Sequence, residues 1–550
     1  MSVPAATSDR GFTTRHLLLI LAVSAGWEWL FLHFGINKLD EGWTLYAAKR
    51  LHEGALLYRD VMFPFPPGHL LAAWLGYALD PPGVVVARIF YAAFSVGASL
   101  GLYLLGRKVM PAHFALFGAL LLAVAAPKSH LAHLLFGYRY ALFALLALLA
   151  FSRRAEGRGA HWMFVAGLCA GAGLVFRLTP AATASVAIAV GLLLADPRPR
   201  VWLRDGGLYA AGLLAAALPV GVWLASQVGL DTLWHEVMVR PIAMTDQQSL
   251  PIPELAWFPG LDRWKIRRWF VALQFRLWAL LYIGYAIAAL RIAWRALRSR
   301  ATSQDAVFVA IVVWGAIYFF RALGRSDEPH LDSALPPVCL LLAHLFFTVV
   351  RRRGSEDPCD GAPAKWRADP ARRPRLAAAG VASFALWIFL STSDRFLLER
   401  QRGHIPVQAM NGSVALTRAI VAQAFDWSVH AIQTWSRPGD TVLDLTASPL
   451  LHVVTGRNGV AFSDPIIPGS FLGDEEEARY LDALVREPPA VVLRPVTPFD
   501  RDPERAIEKI APRVAAWVAA NYHAIGTRRG IVVLVPNGVT QPPEPRRPPG

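Results

Sequence analysis

The sequence is short of charge. Of 550 residues, 17% are Asp, Glu, Lys or Arg, against 55% hydrophobic, and the mean hydropathy is +0.37. Soluble globular chains carry about a quarter charged residues, so this composition excludes a disordered protein and disfavours a purely soluble enzyme. Cysteine is nearly absent. Cys169 and Cys339 lie in apolar runs and Cys359 in a basic loop, which implies no disulfide framework and leaves no CxxC metal spacing. Lysine provides only seven of the 55 basic residues. Neither a P-loop nor an HExxH motif occurs. What is plentiful is aromatic: 19 Trp, 29 Phe and 13 Tyr, residues that membrane interfaces favour. The formal charge of +15 suits either nucleic-acid binding or the cytoplasmic loops of a membrane protein, and its placement decides between them.

Apolar stretches long enough to cross a bilayer, or nearly so, occur near 16–35, 84–105, 111–127, 138–152, 161–178, 180–195, 207–226, 270–291, 305–321, 334–350 and 376–392. Three of these are short, and Thr179-Pro180 splits the pair 161–178 and 180–195. With the N-terminus cytoplasmic, the dense basic loops all fall on one side: Arg107 and Lys108; Arg153, Arg154 and Arg158; Arg198, Arg200 and Arg204; Arg291 to Arg300; and Arg351 to Arg375. That is the positive-inside pattern, and it supports about eleven spans. It accounts for the high pI without nucleic acid. The first span has Arg10 and Arg15 before it, as a signal peptide would, but its apolar run continues to Phe34, which favours an uncleaved anchor.

The predicted organisation is therefore an α-helical polytopic membrane protein. It has a cytoplasmic tail (1–15), a transmembrane region (16–392) with outer loops 36–83 and 227–269, a small extracytoplasmic α/β domain (393–535) and a Pro- and Arg-rich disordered tail (536–550). In the α/β part, helical stretches at 413–436, 474–486 and 504–523 alternate with strand-like runs Thr441–Leu445, Ala490–Leu493 and Ile531–Val535. Loop 227–269 is rich in Trp, Pro and charge, and Trp264–Trp269 suits a segment lying on the headgroups.

The first outer loop carries the most chemistry. Asp40 and Glu41 sit a few residues beyond the first span and open a short helix containing Tyr46 and running to about Glu53, with Gly54 suited to its C-terminal cap. Tyr58-Arg59-Asp60 and the rigid turn Phe63-Pro64-Phe65-Pro66-Pro67 follow, then an apolar stretch, 69–79, too short to span. This order resembles the large family of integral-membrane glycosyltransferases that use polyprenyl-phosphate sugars, the GT-C type. It is most like the bacterial branch related to protein O-mannosyltransferases and the lipid A aminoarabinose transferase. The matches are Asp40-Glu41, Tyr46, Ala47, Gly54 and Pro66-Pro67. Some relatives have a Lys just before the proline pair; here the residue is Phe65, so any phosphate contact made by that Lys must come from elsewhere. The resemblance implies a polyprenyl-phosphate sugar as donor and a glycan, lipid or protein as acceptor. It further implies a bacterial inner-membrane location with the C-terminal domain outside.

Glycosyl transfer from a lipid phosphate needs a base at the acceptor hydroxyl and positive charge at the departing phosphate. Asp40, partly desolvated at the membrane edge, is the candidate base, with helix N-cap as its structural alternative. Glu41 is a candidate for orienting sugar or acceptor. Candidate phosphate ligands are the cations on the side that should lack them: Lys128, Arg139, Arg177, Arg321 and Arg325. His330 beside Asp327-Glu328, Tyr46, and the pair Arg59 and Asp60 are further binding candidates, the last more readily a surface ion pair. His130 and His133 lack a third ligand at metal spacing, so no metal is expected. The run Gly167 to Gly173 lies in an apolar span with no strand before it and reads as a helix-packing surface rather than a nucleotide loop. Asn411-Gly412-Ser413 fits a glycosylation sequon that matters only in a eukaryotic secretory setting. Two other classes stay open: a flippase or transporter of lipid-linked sugars, which should show Gly/Pro-broken helices in matching halves, and a non-catalytic assembly protein, which needs no carboxylate beside the first span.

Overall fold

The computed structural model describes residues 9–125, 139–196, 198–255, 263–296, 298, 301–351, 379–383, 385–386, 404–410 and 416–543. Most are helical. In chain order the helices that matter here are α1 (Asp9–Phe31), α2 (Asp40–His52), α3 (Leu71–Leu79), α4 (Val84–Gly106), α5 (Ala112–Ala125), α6 (Ala141–Ala155), α7 (His161–Phe176), α8 (Leu178–Ala195), α9 (Pro199–Val228), α10 (Leu230–Trp234), α11 (Arg240–Gln247), α12 (Arg263–Ala296), α13 (Ser303–Ala322), α14 (Glu328–Ser333) and α15 (Leu335–Arg351). Among the described residues, five helices are long and apolar enough to cross a membrane, and three shorter apolar helices accompany them. Of the expected span 376–392, only 379–383 and 385–386 are described, and those are helical.

The break expected between α7 and α8 falls at Arg177, whose backbone is extended (φ −161°, ψ 125°), and Pro180 sits in the first turn of α8, where its missing N–H costs nothing. The glycine run of α7 packs against α9. A Cβ on Gly167 would collide with the Tyr209 carbonyl, and one on Gly171 with that of Leu213. This is the small-residue close approach expected of that run. Trp264–Trp269 falls in the first turns of α12; no Gly or Pro separates it from the apolar stretch that follows.

Beyond residue 404 a short ribbon, β1 (His404–Pro406) with β2 (Leu416–Arg418), precedes a four-stranded sheet. The strands of that sheet are β3 (Val442–Asp444), β4 (Val491–Pro495), β5 (Tyr522–Arg528) and β6 (Ile531–Pro536), in the order β3-β4-β6-β5. β3 and β4 are parallel and the remaining pairs antiparallel. The β5–β6 hairpin turns at Arg529 (φ 53°) and Gly530 (φ 80°), the positive-φ pair that a two-residue hairpin needs. Helix Asp474–Arg486 matches the sequence expectation, whereas the helix expected over 413–436 starts only at Ala419, because Leu416–Arg418 pairs as β2. The third, expected over 504–523, is broken: Pro512 starts a helix ending at Asn521, and Tyr522 already belongs to β5.

One buried cluster joins the two regions. Leu45, Tyr46 and Ala48 of α2 pack with Ala72, Ala73 and Ala87 on one side, and with Leu450, Leu451, Val491 and Val533 on the other. Gly42 makes this possible, because a Cβ there would strike the backbone of Leu450. The Leu450 N–H donates to the Lys38 carbonyl at 3.3 Å. Helix α2 is thus clamped between α3 and the short C-terminal helix Leu450–Thr455, which fixes where its first residues point.

Candidate active site

Asp40 is the first residue of α2, and Leu39 is the cap residue. The carboxylate of Asp40 does not cap the helix. Asn37 holds it instead, donating from Nδ2 to Oδ2 at 2.9 Å while its own Oδ1 accepts from the Asp40 N–H at 2.9 Å. A carboxylate at a helix N-terminus faces the positive end of the helix dipole. Burial nevertheless dominates and pushes the Asp40 carboxyl above the usual carboxylate range; the Asn37 hydrogen bond and the positive fields of His330, Arg325 and Arg177 pull it part of the way back. Three of the sequence candidates therefore act on Asp40 through space.

Arg177 is brought there by the extended break between α7 and α8. Its guanidinium lies over the Phe65 ring, 4.4 Å from the centroid. Phe65 is the residue standing where some members of the resembled family carry Lys, so a cation occupies this neighbourhood from a different element. Arg177 and Arg321 repel each other electrostatically. Arg321, exposed at the end of α13, lines a cavity of about 530 Å³ walled by Leu178, Thr179, Val237, Ile242 and Thr245. His69, fully buried, stacks on Phe65 with centroids 5.1 Å apart and abuts Tyr140 and Tyr91. Burial first, and Arg177 second, hold it neutral.

The other candidates, and the partners that hold Arg325 and His330, are as follows. Glu41 faces inward, where Arg88 Nε and Nη2 each donate to its carboxylate at 2.7 Å, and both side chains are about 1% exposed. Arg88 also donates to the Leu32 and Gly35 carbonyls. Glu41 thus ties α2 to α4 and to the end of α1. Arg139 is buried 3.5 Å from Glu28 of α1. Arg325 is shared between Asp327 at 2.8 Å and Asp500 at 2.9 Å, so two carboxylates neutralise it. His330 Nδ1 lies 2.6 Å from Asp327, which caps α14. Tyr46 is buried on the other face of α2, accepting from the Gly459 N–H at 2.8 Å. Arg59 and Asp60 form an exposed pair at 2.9 Å, the surface arrangement weighed for them. Lys128, His130 and His133 lie outside the described residues.

The sequence reading did not single out Asn37, Arg88 or His69. An arginine inside an apolar span was a usable signal for Arg88; Asn37 and His69 carry none that a single sequence displays.

Residues 65–224 match the family model described as dolichyl-phosphate-mannose-protein mannosyltransferase. In three dimensions the chain is similar to ArnT from Cupriavidus metallidurans bound to undecaprenyl phosphate, with 15% identity and a TM-score of 0.56, covering 98% of this chain and 100% of that one. The same protein in its apo state gives 14% identity and a TM-score of 0.55, covering 96% and 98%. The chain resembles the GT-C membrane glycosyltransferases. No curated protein matches it significantly. The segment matched by that family model begins at Phe65 and takes in Arg88, Arg139 and Arg177; Asp40 precedes it. With a fold similar to that of ArnT over almost its whole length and five helices long and apolar enough to cross a membrane among the described residues, the chain is a multi-pass membrane protein.

Proposed function

We propose that this protein is a glycosyltransferase that moves a hexosyl or pentosyl group from a polyprenyl-phosphate donor to a hydroxyl of an envelope or periplasmic acceptor. The GT-C fold and the mannosyltransferase match support the class. One observation supports the site: a carboxyl that holds its proton more tightly than usual lies in the field of Arg177, which neighbours the cavity-lining Arg321. In this reading Asp40 takes the proton of the acceptor hydroxyl as its oxygen attacks the anomeric carbon. The bond from that carbon to the phosphate oxygen breaks on the opposite face, and the phosphate leaves with the electron pair, inverting the centre. Arg177 and Arg321, with Lys128 as a further candidate, stabilise the charge on the leaving phosphate. No step requires a metal. Asp40 and the C-terminal sheet lie on the outer side of a bacterial inner membrane crossed by about eleven spans with the N-terminus inside.

The test uses the full chain in proteoliposomes with a radiolabelled polyprenyl-phosphate sugar and an envelope extract as acceptor. Asp40→Asn is expected to lower transfer by about 100-fold or more, the weight of a general base, with membrane insertion unchanged. Transfer close to that of the unaltered protein rejects Asp40 as the base.

A further inference from the structure

A second cavity lies at the other end of the helix bundle. Helix α13 runs from Ser303 to Ala322, which at about 1.5 Å per residue is roughly the thickness of a bilayer core. Arg321 at its end acts on Arg177, which in turn acts on Asp40. Asp305 at its start lines a cavity of about 1160 Å³ between the end of α12, the start of α13 and the end of α15. The two cavities are therefore separated by the length of a spanning helix.

The lining of this second cavity combines two chemistries. Ile287, Leu290 and Phe347 make it apolar. Ile287 and Leu290 continue a strongly exposed stripe of α12 that also includes Ile283 and Trp294, the aspect a spanning helix turns to lipid. Arg291 and Arg295 supply two guanidinium groups from that same helix end. Arg291 has no hydrogen bond or ion pair with any described residue, whereas Arg295 makes a contact of its own, which leaves further N–H groups of its guanidinium to donate. The one acid in the lining, Asp305, is engaged with its own helix cap: Oδ2 accepts from the Thr302 N–H at 3.1 Å and from the Thr302 hydroxyl at 2.8 Å. The net character is a cationic mouth on an apolar crevice, at the level where a bilayer changes from acyl chain to headgroup. A sugar or nucleotide matches only the mouth and a neutral lipid only the crevice. A lipid bearing a phosphate matches both.

We propose that this crevice binds an anionic glycerophospholipid of the leaflet opposite Asp40, with its phosphate on Arg291 and Arg295 and its acyl chains along Ile287, Leu290 and Phe347. The site is independent of the transfer reaction, and its test requires no activity. The full chain, purified in detergent, is incubated with equimolar phosphatidylglycerol and phosphatidylcholine and examined by native mass spectrometry. Preferential retention of one phosphatidylglycerol is expected. The variant Arg291→Gln/Arg295→Gln should lose that preference by about fivefold for each arginine removed, the weight of one basic residue at an anionic membrane surface. Arg200→Gln, an exposed arginine outside the cavity, should not change it. Equal retention of the two lipids, no retained lipid, or an equal loss in Arg200→Gln overturns the proposal. So does displacement of the phosphatidylglycerol by equimolar polyprenyl phosphate. A thermal melt of each variant shows whether it is folded. If the double variant unfolds, Leu290→Arg, which extends an added cation from the crevice wall toward the mouth, should strengthen the preference, and an unchanged preference overturns the site.

Discussion

Asp40 is held by opposing effects of its surroundings. Burial raises its proton affinity, and the Asn37 amide and three cations lower it. A base works only when ionised, so the acid limb of kcat/KM should lie above about pH 4, where an ordinary aspartate titrates. Asn37→Ala removes a donor to the carboxylate, so the proton is retained to higher pH. The limb is then expected to move upward, with the plateau rate little changed. A pH–rate profile of the two proteins checks this; a downward or absent shift rejects the assignment. Glu41, adjacent in sequence, differs entirely in surroundings. Glu41→Gln leaves Arg88 buried without its counter-ion, at a cost of about 3–5 kcal/mol. The double change Glu41→Gln/Arg88→Met should recover most of that cost, as read from detergent melting curves. A Glu41 that touched the sugar would lose turnover at full stability instead.

At the scale of elements, two close approaches set the architecture. Helices α7 and α9 meet through Gly167, Gly171 and Gly212, so Gly167→Leu forces them apart. The expected cost is about 1–3 kcal/mol of packing, measurable as a lower melting temperature, with transfer falling as Arg177 at the end of α7 shifts away from Asp40. Helix α2 depends on Gly42 for contact with Leu450 and on Gly54 (φ 90°) for its end. The extent of α2 and its capping glycine were legible in the sequence. Its clamping by the distant helix Leu450–Thr455 was not, because no local pattern encodes the partner of a buried face.

Over the whole molecule, the C-terminal sheet is joined to the membrane region by charge as well as by apolar packing. Arg240 of α11 binds Glu236 at 2.7 Å and Glu476 at 3.0 Å. Lys49 of α2 reaches Asn458 at 2.5 Å, and Arg505 donates to the Ser249 carbonyl at 2.8 Å. Beneath Tyr46, fully buried His452 lies 2.7 Å from Asp464. Burial alone would lower the proton affinity of His452, but Asp464, and Asp444 behind it, outweigh burial and raise it, against a smaller opposing effect of Lys49. Because the folded value lies above the unfolded one, this pair stabilises fully below about pH 6.5 and is lost as pH rises through the folded value. The melting temperature should fall across that window, and His452→Phe should flatten the slope. An unchanged slope places the pH dependence elsewhere.

The sequence by itself determined the class and the rough positions of the elements. A 20-residue apolar run has few alternatives to a spanning helix, and charge asymmetry orients a series of them. It also brought Asp40, Arg177 and Arg321 forward, since charge at a membrane edge is conspicuous in a chain with so little of it. Only the tertiary structure decided which of those charges face one another. Glu41 and Arg139 have the same chemistry on paper as the residues around Asp40, but each is paired with an opposite charge from a distant segment. Ion pairing is set by long-range packing, which sequence spacing does not record.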